Sequence, residues 1–230
     1  MDISANIRKI KQEIAAAQIR STKAKQNIKL LAVSKTKPIE CIHAAMAAGQ
    51  FEFGENRVQE LIVKQELIPD AKWHLIGHLQ TNKVRHIIGK TELIHSLDSI
   101  NLADEIEKRS AQAGIITKCL VQLNIANEAT KSGIEIYELT DFIDAIKDRP
   151  HIQICGLMTI GPVVDDPEEI RPIFSTLRIL FEEQKSRELS FAPMQWLSMG
   201  MSNDFAVAVE EGANIVRVGS AIFGERNNYL

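Results

Sequence analysis

Eight short apolar runs alternate with helical stretches along this chain of 230 residues, and that alternation limits its fold more than any other feature. The runs are rich in branched side chains and too short for buried helices, which is typical of buried parallel strands. The predicted strands are 29–34, 51–53, 72–76, 93–96, 118–124, 152–157, 195–198 and 215–218. Glycines that can end the intervening helices in a left-handed conformation are Gly49, Gly89, Gly114 and Gly212. The pattern predicts an α/β fold, a single-domain (β/α)8 TIM barrel over residues 1–230.

A further helix is predicted before the first strand, within residues 1–22. Apolar side chains fall at helical spacing at Ile3, Ile7, Ile10 and Ile14. Charges of both signs occupy its other face, so we expect it to pack on the barrel and not on a membrane. Another helix, at 166–183, begins with a cap residue and a proline, but Pro172 suits its interior poorly and indicates a later start.

Composition and local signals exclude several classes of protein. An open doubly wound sheet usually has a Gly-rich turn after its first strand, where this chain has Lys-Thr-Lys-Pro. A net charge of −3 without basic runs disfavours nucleic-acid binding. Three cysteines without C-x-x-C spacing indicate free thiols in a reducing compartment. No leader or span-length apolar run is present, so we expect a cytoplasmic protein off the membrane.

Neither a metal site nor a subunit interface is expected. His74 and His78 straddle the end of a predicted strand, which does not match the helical spacing of zinc ligands. Once the barrel helices are packed, no long apolar stripe is left on the surface, which favours a monomer.

The first predicted strand ends in a lysine. The apolar run at 30–33 leads through Ser34 into Lys35, and Pro38 closes the segment and opens a helix at 39–48. A lysine at the end of a buried strand loses hydration, which favours the neutral amine that imine formation requires. Lys35 is therefore the candidate nucleophile, and a solvated lysine at the strand mouth is the alternative.

The other predicted strands also end in polar or glycine-containing loops. In a (β/α)8 barrel the functional site lies at the carboxyl ends of the strands. Together with Lys35, the candidate site residues at these positions are Asn56, His78, Met158, Ser198, Gly200, Ser202, Arg217, Gly219 and Ser220, ten in all. Asp98 and Asn124 also follow predicted strands. The opposite strand ends look like plain connections, and this asymmetry predicts one binding site.

The loops after the last two strands suit a phosphate group. Ser198, Gly200 and Ser202 offer hydroxyls and backbone N–H groups before a helix predicted at 203–211, and Gly219-Ser220 does the same on the next strand. Barrels commonly bind phosphate after strands seven and eight, at helix N-termini. Each serine alone is better explained as a simple helix cap. Two such loops on neighbouring strands favour phosphate.

An imine-forming lysine opposite a phosphate cradle indicates pyridoxal 5′-phosphate (PLP) as the cofactor, because its aldehyde and phosphate lie at opposite ends of one ring. Asn56 and His78 would line one edge of the ring. Met158 would pack against the ring, with ordinary core filling as the alternative.

Arg217 lies on the last strand, below the second phosphate loop, where it would reach the pyridine nitrogen. An arginine there keeps that nitrogen unprotonated and weakens the ring as an electron sink. A buried ion pair is the alternative for Arg217. Glu55 and Asp204 are the candidate partners, either for Arg217 or for Arg57.

Six segments spread over nearly the whole chain carry a family resemblance. They are 32–37, 53–60, 73–83, 156–159, 197–202 and 217–224. In them the sequence resembles the YggS/PROSC family of pyridoxal phosphate homeostasis proteins, with small departures at Leu75 (often Phe) and Ser220 (commonly Thr). The resemblance implies Lys35 as the covalent Schiff-base lysine and a barrel like the N-terminal domain of alanine racemase. It also implies a PLP-binding protein of vitamin B6 homeostasis with no established reaction.

The sequence favours a PLP carrier or regulator over an amino-acid enzyme. Racemases and decarboxylases of this class add a second β domain, whereas this sequence ends about a dozen residues after its last predicted strand. Racemization needs a second acid or base on the far face of the ring, often a tyrosine. Only Tyr137 and Tyr229 are present, and neither falls in the predicted site. PLP-dependent apo-enzymes are candidate recipients of the cofactor.

The sequence is also consistent with three other functions. The first is a PLP-dependent racemase or lyase that uses His78 or a neighbouring lysine as its proton carrier. The second is a Schiff-base aldolase on sugar phosphates, with Lys35 attacking the substrate directly. The third is a barrel whose partner surface matters and whose site is vestigial. Lys37, Lys83 and Lys131 compete with Lys35 as imine formers, but none follows a buried strand so directly.

Overall fold

Eight parallel strands close into a barrel in chain order in the computed structural model, which describes residues 2–23, 27–126 and 132–225. The strands are β1 Lys29–Val33, β2 Glu52–Glu55, β3 Lys72–Leu75, β4 Leu93–Leu97, β5 Thr117–Leu123, β6 Ile152–Thr159, β7 Trp196–Ser198 and β8 Ile215–Val218. β1 pairs with β8 over four residue pairs, which closes the barrel. The predicted (β/α)8 architecture is confirmed.

Helices surround the barrel. They are α1 Ile3–Arg20, α2 Ile39–Ala47, α3 Val58–Leu67, α4 Ile100–Ala113, α5 Leu139–Ile146, α6 Arg171–Ser186, α7 Phe205–Glu210 and α8 Ser220–Phe223. Short 3-10 segments occupy Thr81–His86, Ile136–Glu138 and Pro167–Ile170. The additional helix α1 packs on α2, α7 and α8 through the apolar stripe predicted for it. None of the helices described here is long and apolar enough to cross a membrane.

Several element bounds differ from the predictions for local reasons. β2 runs on to Glu55 because Gly54 and Glu55 continue the pairing with β3. The segment after β3 forms a 3-10 helix, Thr81–His86, in place of a regular helix. The later start expected from Pro172 is confirmed, because α6 begins at Arg171 and holds the proline in its first turn. α7 begins at Phe205 and not at Asn203.

The core has two layers. A large cluster lies between the strands and the helices, and a smaller one fills the barrel interior around Leu31, Leu120 and Met158. All three cysteines are free thiols. Cys119 and Cys155 are buried in these layers, and burial raises the pKa of Cys155 to about 11, so this thiol stays protonated at neutral pH.

Candidate functional site

A cavity of about 530 Å³ opens at the carboxyl ends of the strands. It brings together six of the ten residues predicted for the cofactor site. They are Lys35, Asn56, Ser202, Arg217, Gly219 and Ser220. These residues follow or end β1, β2, β7 and β8, and the pairing of β1 with β8 makes the two ends of the chain neighbours.

Lys35 sits in a loop whose backbone is fixed on both sides. Ser34 Oγ donates to Glu55 Oε1 at 2.6 Å, and the Thr36 N–H donates to Glu60 Oε1 at 2.6 Å. Thr36 has a φ of 63°, a conformation that costs a non-glycine residue free energy unless its surroundings impose it. The half-buried Lys35 is thus presented to the cavity from a pinned turn.

Lys64 of α3 holds this turn from behind. Its Nζ donates to the Ser34 carbonyl at 2.7 Å, to Glu55 Oε1 at 2.8 Å and to Glu60 Oε1 at 2.6 Å. Lys64 is only 5% exposed, and Glu55 is fully buried. Burial raises the pKa of Glu55 although the charge of Lys64 opposes this. The prediction that Glu55 pairs with Arg217 or Arg57 is therefore wrong, because Lys64 takes that place.

Asn56 reaches the cavity because the loops after β2 and β3 lie against each other. A side chain at Gly77 would place its Cβ 2.3 Å from the carbonyl oxygen of Asn56, so only glycine permits this contact. The close approach fixes the chain at the carboxyl end of β2, where Asn56 turns into the cavity.

Arg217 lies in the cavity wall and is only 4% exposed. Its Nη1 donates to Ser198 Oγ at 2.7 Å and its Nη2 to the Thr159 carbonyl at 2.8 Å. Burial lowers the pKa of Arg217 to about 10, although attraction from Asp204 opposes the shift, so the group stays a cation at neutral pH. Within the described ranges it forms no ion pair, and its partners are a hydroxyl and a carbonyl instead of a carboxylate.

Ser202 joins the loops that follow β7 and β8. Its Oγ accepts from the Gly219 N–H at 3.2 Å and the Ala221 N–H at 3.4 Å. α7 begins three residues later, with Asp204 at its cap position, so Ser202 is not the cap of that helix. A hydroxyl and adjacent backbone N–H groups at the start of a helix form a surface that suits an anion.

Four predicted residues do not line the cavity. His78 is exposed, and its Nδ1 lies 3.3 Å from Asp98 Oδ2. Met158 and Ser198 are fully buried inside the barrel, the first in the apolar layer and the second beneath Arg217. Gly200 shapes the loop after β7: its φ is +90°, and a Cβ there would lie 2.5 Å from Ala208 Cβ.

The competing lysines lie in different places. Lys37 lines the cavity, and its Nζ donates to the carbonyls of Gly224 and Glu225 at 3.1 and 3.0 Å. Lys83 lies in the 3-10 segment after β3, outside the cavity lining. Lys131 falls outside the described residues.

Sequence reasoning missed one wall of the cavity. The loop after β6 contributes an apolar surface made of Ile160, Pro162, Val163, Val164 and Pro167. Val163 is 90% exposed, so this wall presents apolar side chains to the solvent. The signal was the apolar stretch after the predicted end of strand six, which alternation alone does not place over a site. No cluster of metal-ligating side chains occurs within the ranges the structure describes.

Comparisons with known proteins agree with this geometry. The family described as alanine racemase, N-terminal domain, matches residues 3–227. The pyridoxal phosphate homeostasis protein of Aquifex aeolicus is 44% identical over 228 residues, 98% of this chain and 99% of the relative. The solved structure of PipY of Synechococcus elongatus PCC7942 with PLP bound has a TM-score of 0.83 at 33% identity, covering 96% of this chain and 100% of PipY.

A more distant solved structure shares the fold alone. Alanine racemase from Corynebacterium glutamicum has a TM-score of 0.77 at 18% identity, over 100% of this chain and 63% of the racemase. The full-length match at 44% identity and the alanine racemase-type barrel confirm the resemblance seen in the sequence. This chain belongs to the family of pyridoxal phosphate homeostasis proteins.

Proposed function

We propose that this protein binds PLP in the cavity at the carboxyl ends of the strands, as a Schiff base on Lys35, and serves PLP homeostasis without catalysing a reaction of its own. The observation that carries the proposal is the convergence of Lys35, Arg217 and the Ser202–Gly219 loop pair on one cavity. The family name and the PLP-bound structure of PipY support it.

The residues present fit PLP in chemistry and arrangement. Lys35 supplies the primary amine for the aldehyde, and the hydroxyls of Ser202 and Ser220 supply donors for the phosphate, with the Gly219 N–H holding Ser202 in place. Arg217 faces the same cavity as a cation at neutral pH. Asn56 is left to contact the ring edge. His78, Met158, Ser198 and Gly200 lie outside the lining, so any effect they have on the cofactor passes through other residues.

The side chains around the cavity favour holding PLP over turning over an amino acid. Bound PLP supplies an electron sink, and this works best with a protonated pyridine nitrogen. Arg217 only donates hydrogen bonds and cannot share a proton with that nitrogen at neutral pH. Tyr137 is 81% exposed on the outside of the barrel, and Tyr229 falls outside the described residues. A racemase or lyase would need another proton carrier on the far face of the ring.

We further propose that residues 1–230 form one domain that acts as a monomer in the cytoplasm, and that PLP-dependent apo-enzymes receive its cofactor. The closed barrel and a match that covers 98% of this chain and 99% of the relative support the single domain.

An absorbance spectrum before and after borohydride reduction tests the proposal. We expect wild-type protein with added PLP to show an imine band, and reduction to fix the cofactor on the peptide that contains Lys35. Lys35→Ala should lose the band. Lys37→Ala is the matched control, because Lys37 lines the same cavity, and it should keep the band.

Two results would count against the proposal. Wild-type protein that takes up no PLP would remove the central claim and favour the aldolase. Rapid exchange of the α-proton of an amino acid by the PLP-loaded protein, abolished in Lys35→Ala, would show a racemase or lyase instead of a carrier.

A further inference from the structure

A chain of polar side chains crosses the inside of the barrel from its amino-terminal end to the cavity. Its members, which we call the interior chain, are Glu52, His74, His95 and Ser198. Glu52 begins β2, and its Oε2 lies 2.8 Å from His74 Nε2. His74 Nδ1 lies 3.1 Å from His95 Nε2, and His95 Nδ1 lies 3.0 Å from Ser198 Oγ. Arg217 Nη1 then donates to Ser198 Oγ at 2.7 Å.

These groups are buried where such barrels normally hold branched apolar side chains. His74 is 2% exposed, and His95 and Ser198 are fully buried. Burial lowers the pKa of His95 well below its ordinary value, and the positive charge of Arg217 acts in the same direction, so this ring is neutral. Buried polar groups are tolerable only when their hydrogen bonds are made, which ties each member of the interior chain to its neighbours.

The proton positions along the interior chain follow from its anionic end. The Glu52 carboxylate only accepts, so His74 donates to it from Nε2 and, at a pH above the ordinary pKa of histidine, accepts at Nδ1 as a neutral ring. Neutral His95 therefore donates from Nε2 to His74 and accepts at Nδ1 from the Ser198 hydroxyl. Ser198 Oγ in turn accepts from the Arg217 guanidinium, which only donates. Every hydrogen bond therefore points the same way, from the cation at the cavity to the anion at the far end.

Charged groups keep Glu52 ionised. Lys29 Nζ lies 2.7 Å from Glu52 Oε1, and Lys72 Nζ lies 4.0 Å from it. Burial opposes ionisation, but hydrogen bonds from His74 and Lys29 outweigh it and lower the pKa of Glu52 to about 2. The far end of the interior chain is an anion throughout the neutral range.

We propose that the interior chain positions Arg217, holding its guanidinium in one orientation and one hydrogen-bonding state towards the PLP cavity. The carboxylate at the far end decides which nitrogen of each histidine carries a proton, and this decides which way the Ser198 hydroxyl points. An amide in place of Glu52 can either donate to His74 or accept from it, so Glu52→Gln no longer fixes the direction of the hydrogen bonds along the interior chain. The substitution changes no residue of the cavity. The effect on PLP rests on the proposed function, whereas the proton order does not.

Nitrogen NMR of isotope-labelled histidines in the full chain without PLP tests the proton order. At about pH 8, above the ordinary pKa of histidine, we expect His74 and His95 both to carry their proton on Nε2. Glu52→Gln should move part of the population to the other tautomer. A proton on Nδ1 of His95 in the wild-type protein would overturn the proposal, because Ser198 could then no longer donate to it.

PLP titrations of the same variants test the effect on the cavity. Removing or redirecting one hydrogen bond to a charged group should raise the dissociation constant of PLP about threefold to tenfold in Glu52→Gln and Ser198→Ala. We also expect the absorbance band of bound PLP to shift in both. Ser198→Ala keeps the test decisive if Glu52→Gln does not fold, because it removes one buried oxygen and leaves the ion pairs of Glu52 intact.

Glu107→Gln is the matched control. Glu107 binds His151 on the outside of the barrel at 2.7 Å, and its side chain is 21% exposed, against 19% for Glu52. It should leave PLP binding within about twofold of wild type, below the effect of one hydrogen bond. If the wild-type protein binds PLP, and Glu52→Gln and Ser198→Ala bind it with the same affinity and the same spectrum, the role proposed for the interior chain is refuted and the proposed function is not. Absence of PLP binding in wild type would refute the proposed function instead.

Discussion

Lys64→Met is the substitution that best tests how the Lys35 turn is held. Methionine keeps the length and apolar stem of the side chain but removes the ammonium group. The change leaves the Glu55 carboxylate fully buried without its cation and removes one of the two donors to the Ser34 carbonyl, the other being the Lys37 N–H. The turn between Ser34 and Thr36 then keeps its backbone hydrogen bonds and its contacts to the two carboxylates.

The expected loss of stability is large because the cluster is buried. Removing one partner of a buried ion pair costs about 3–5 kcal/mol, since the remaining charge stays out of water. Whole domains are stable by only about 5–15 kcal/mol. For a chain of this size, each 1 kcal/mol lowers the melting temperature by roughly 2–4 °C. We therefore expect Lys64→Met to melt about 6–20 °C below wild type.

The loss of stability in Lys64→Met should be larger at neutral pH than at acid pH. Burial already raises the pKa of Glu55 above 4.5, so the folded state binds this proton more tightly than the unfolded state. A raised carboxyl pKa reduces stability above the unfolded value, and the penalty recedes as the pH falls. Without Lys64 the pKa of Glu55 rises further. The deficit of Lys64→Met should be greatest near neutral pH and shrink towards about pH 5.

Urea unfolding followed by circular dichroism at several pH values measures this. Adding Glu55→Gln to Lys64→Met should recover part of the loss, because the buried charge is gone. Lys9→Met is the control, since the exposed Lys9–Glu13 pair, 3.8 Å apart, should be worth less than about 1 kcal/mol. A loss below about 1 kcal/mol for Lys64→Met, or one that does not change with pH, would refute the reasoning.

Three further outcomes are expected. Gly200→Ala should lower the free energy of unfolding in urea by about 2 kcal/mol or more, because the new Cβ would lie 2.5 Å from Ala208 Cβ at a φ of +90°. Gly49→Ala is its control: the φ there is +76°, no atom lies within 4 Å, and the cost should be about 1 kcal/mol. When the free energy of unfolding is measured against pH, the stabilisation by Glu52 should be complete above pH 4.5 and fall by up to about 3 kcal/mol as the pH approaches about 2. Glu52→Gln should remove this pH dependence. Arg217→Lys should weaken PLP binding about tenfold, measured by absorbance titration, because a lysine cannot reproduce both the Ser198 and Thr159 contacts.

The fold could be predicted because its signal is repeated eight times. β8 was predicted at its observed bounds, since three of its four residues are branched apolar side chains, which are typical of buried parallel strands. β2 was not, because its second half is Gly54-Glu55, and those residues pair like any others once the neighbouring strand is present. A polar residue at a strand end carries no local signal that the strand continues.

The cavity could be predicted only as far as strand ends define it. Lys35 and Arg217 follow from the rule that barrels act at the carboxyl ends of their strands. His78 satisfies the same rule yet is exposed beside Asp98, which follows the next strand. The contact between His74 and His95 depends on which side of each strand faces the barrel axis, and the sequence does not state this. The partner of Glu55 had a local signal in the Glu60–Lys64 spacing, which places both groups on one face of α3.

Two polar clusters inside an apolar barrel converge on one cavity. Lys64 and its carboxylates fix the turn that carries Lys35, and the interior chain fixes Arg217 on another strand of the same wall. Well-packed apolar side chains would stabilise the barrel as much or more, because burying charged and polar groups costs free energy even when they are paired. The reason to keep both clusters therefore lies in what they hold in place. An amine and a cation held at separate points of one cavity suit a ligand that binds in a single pose.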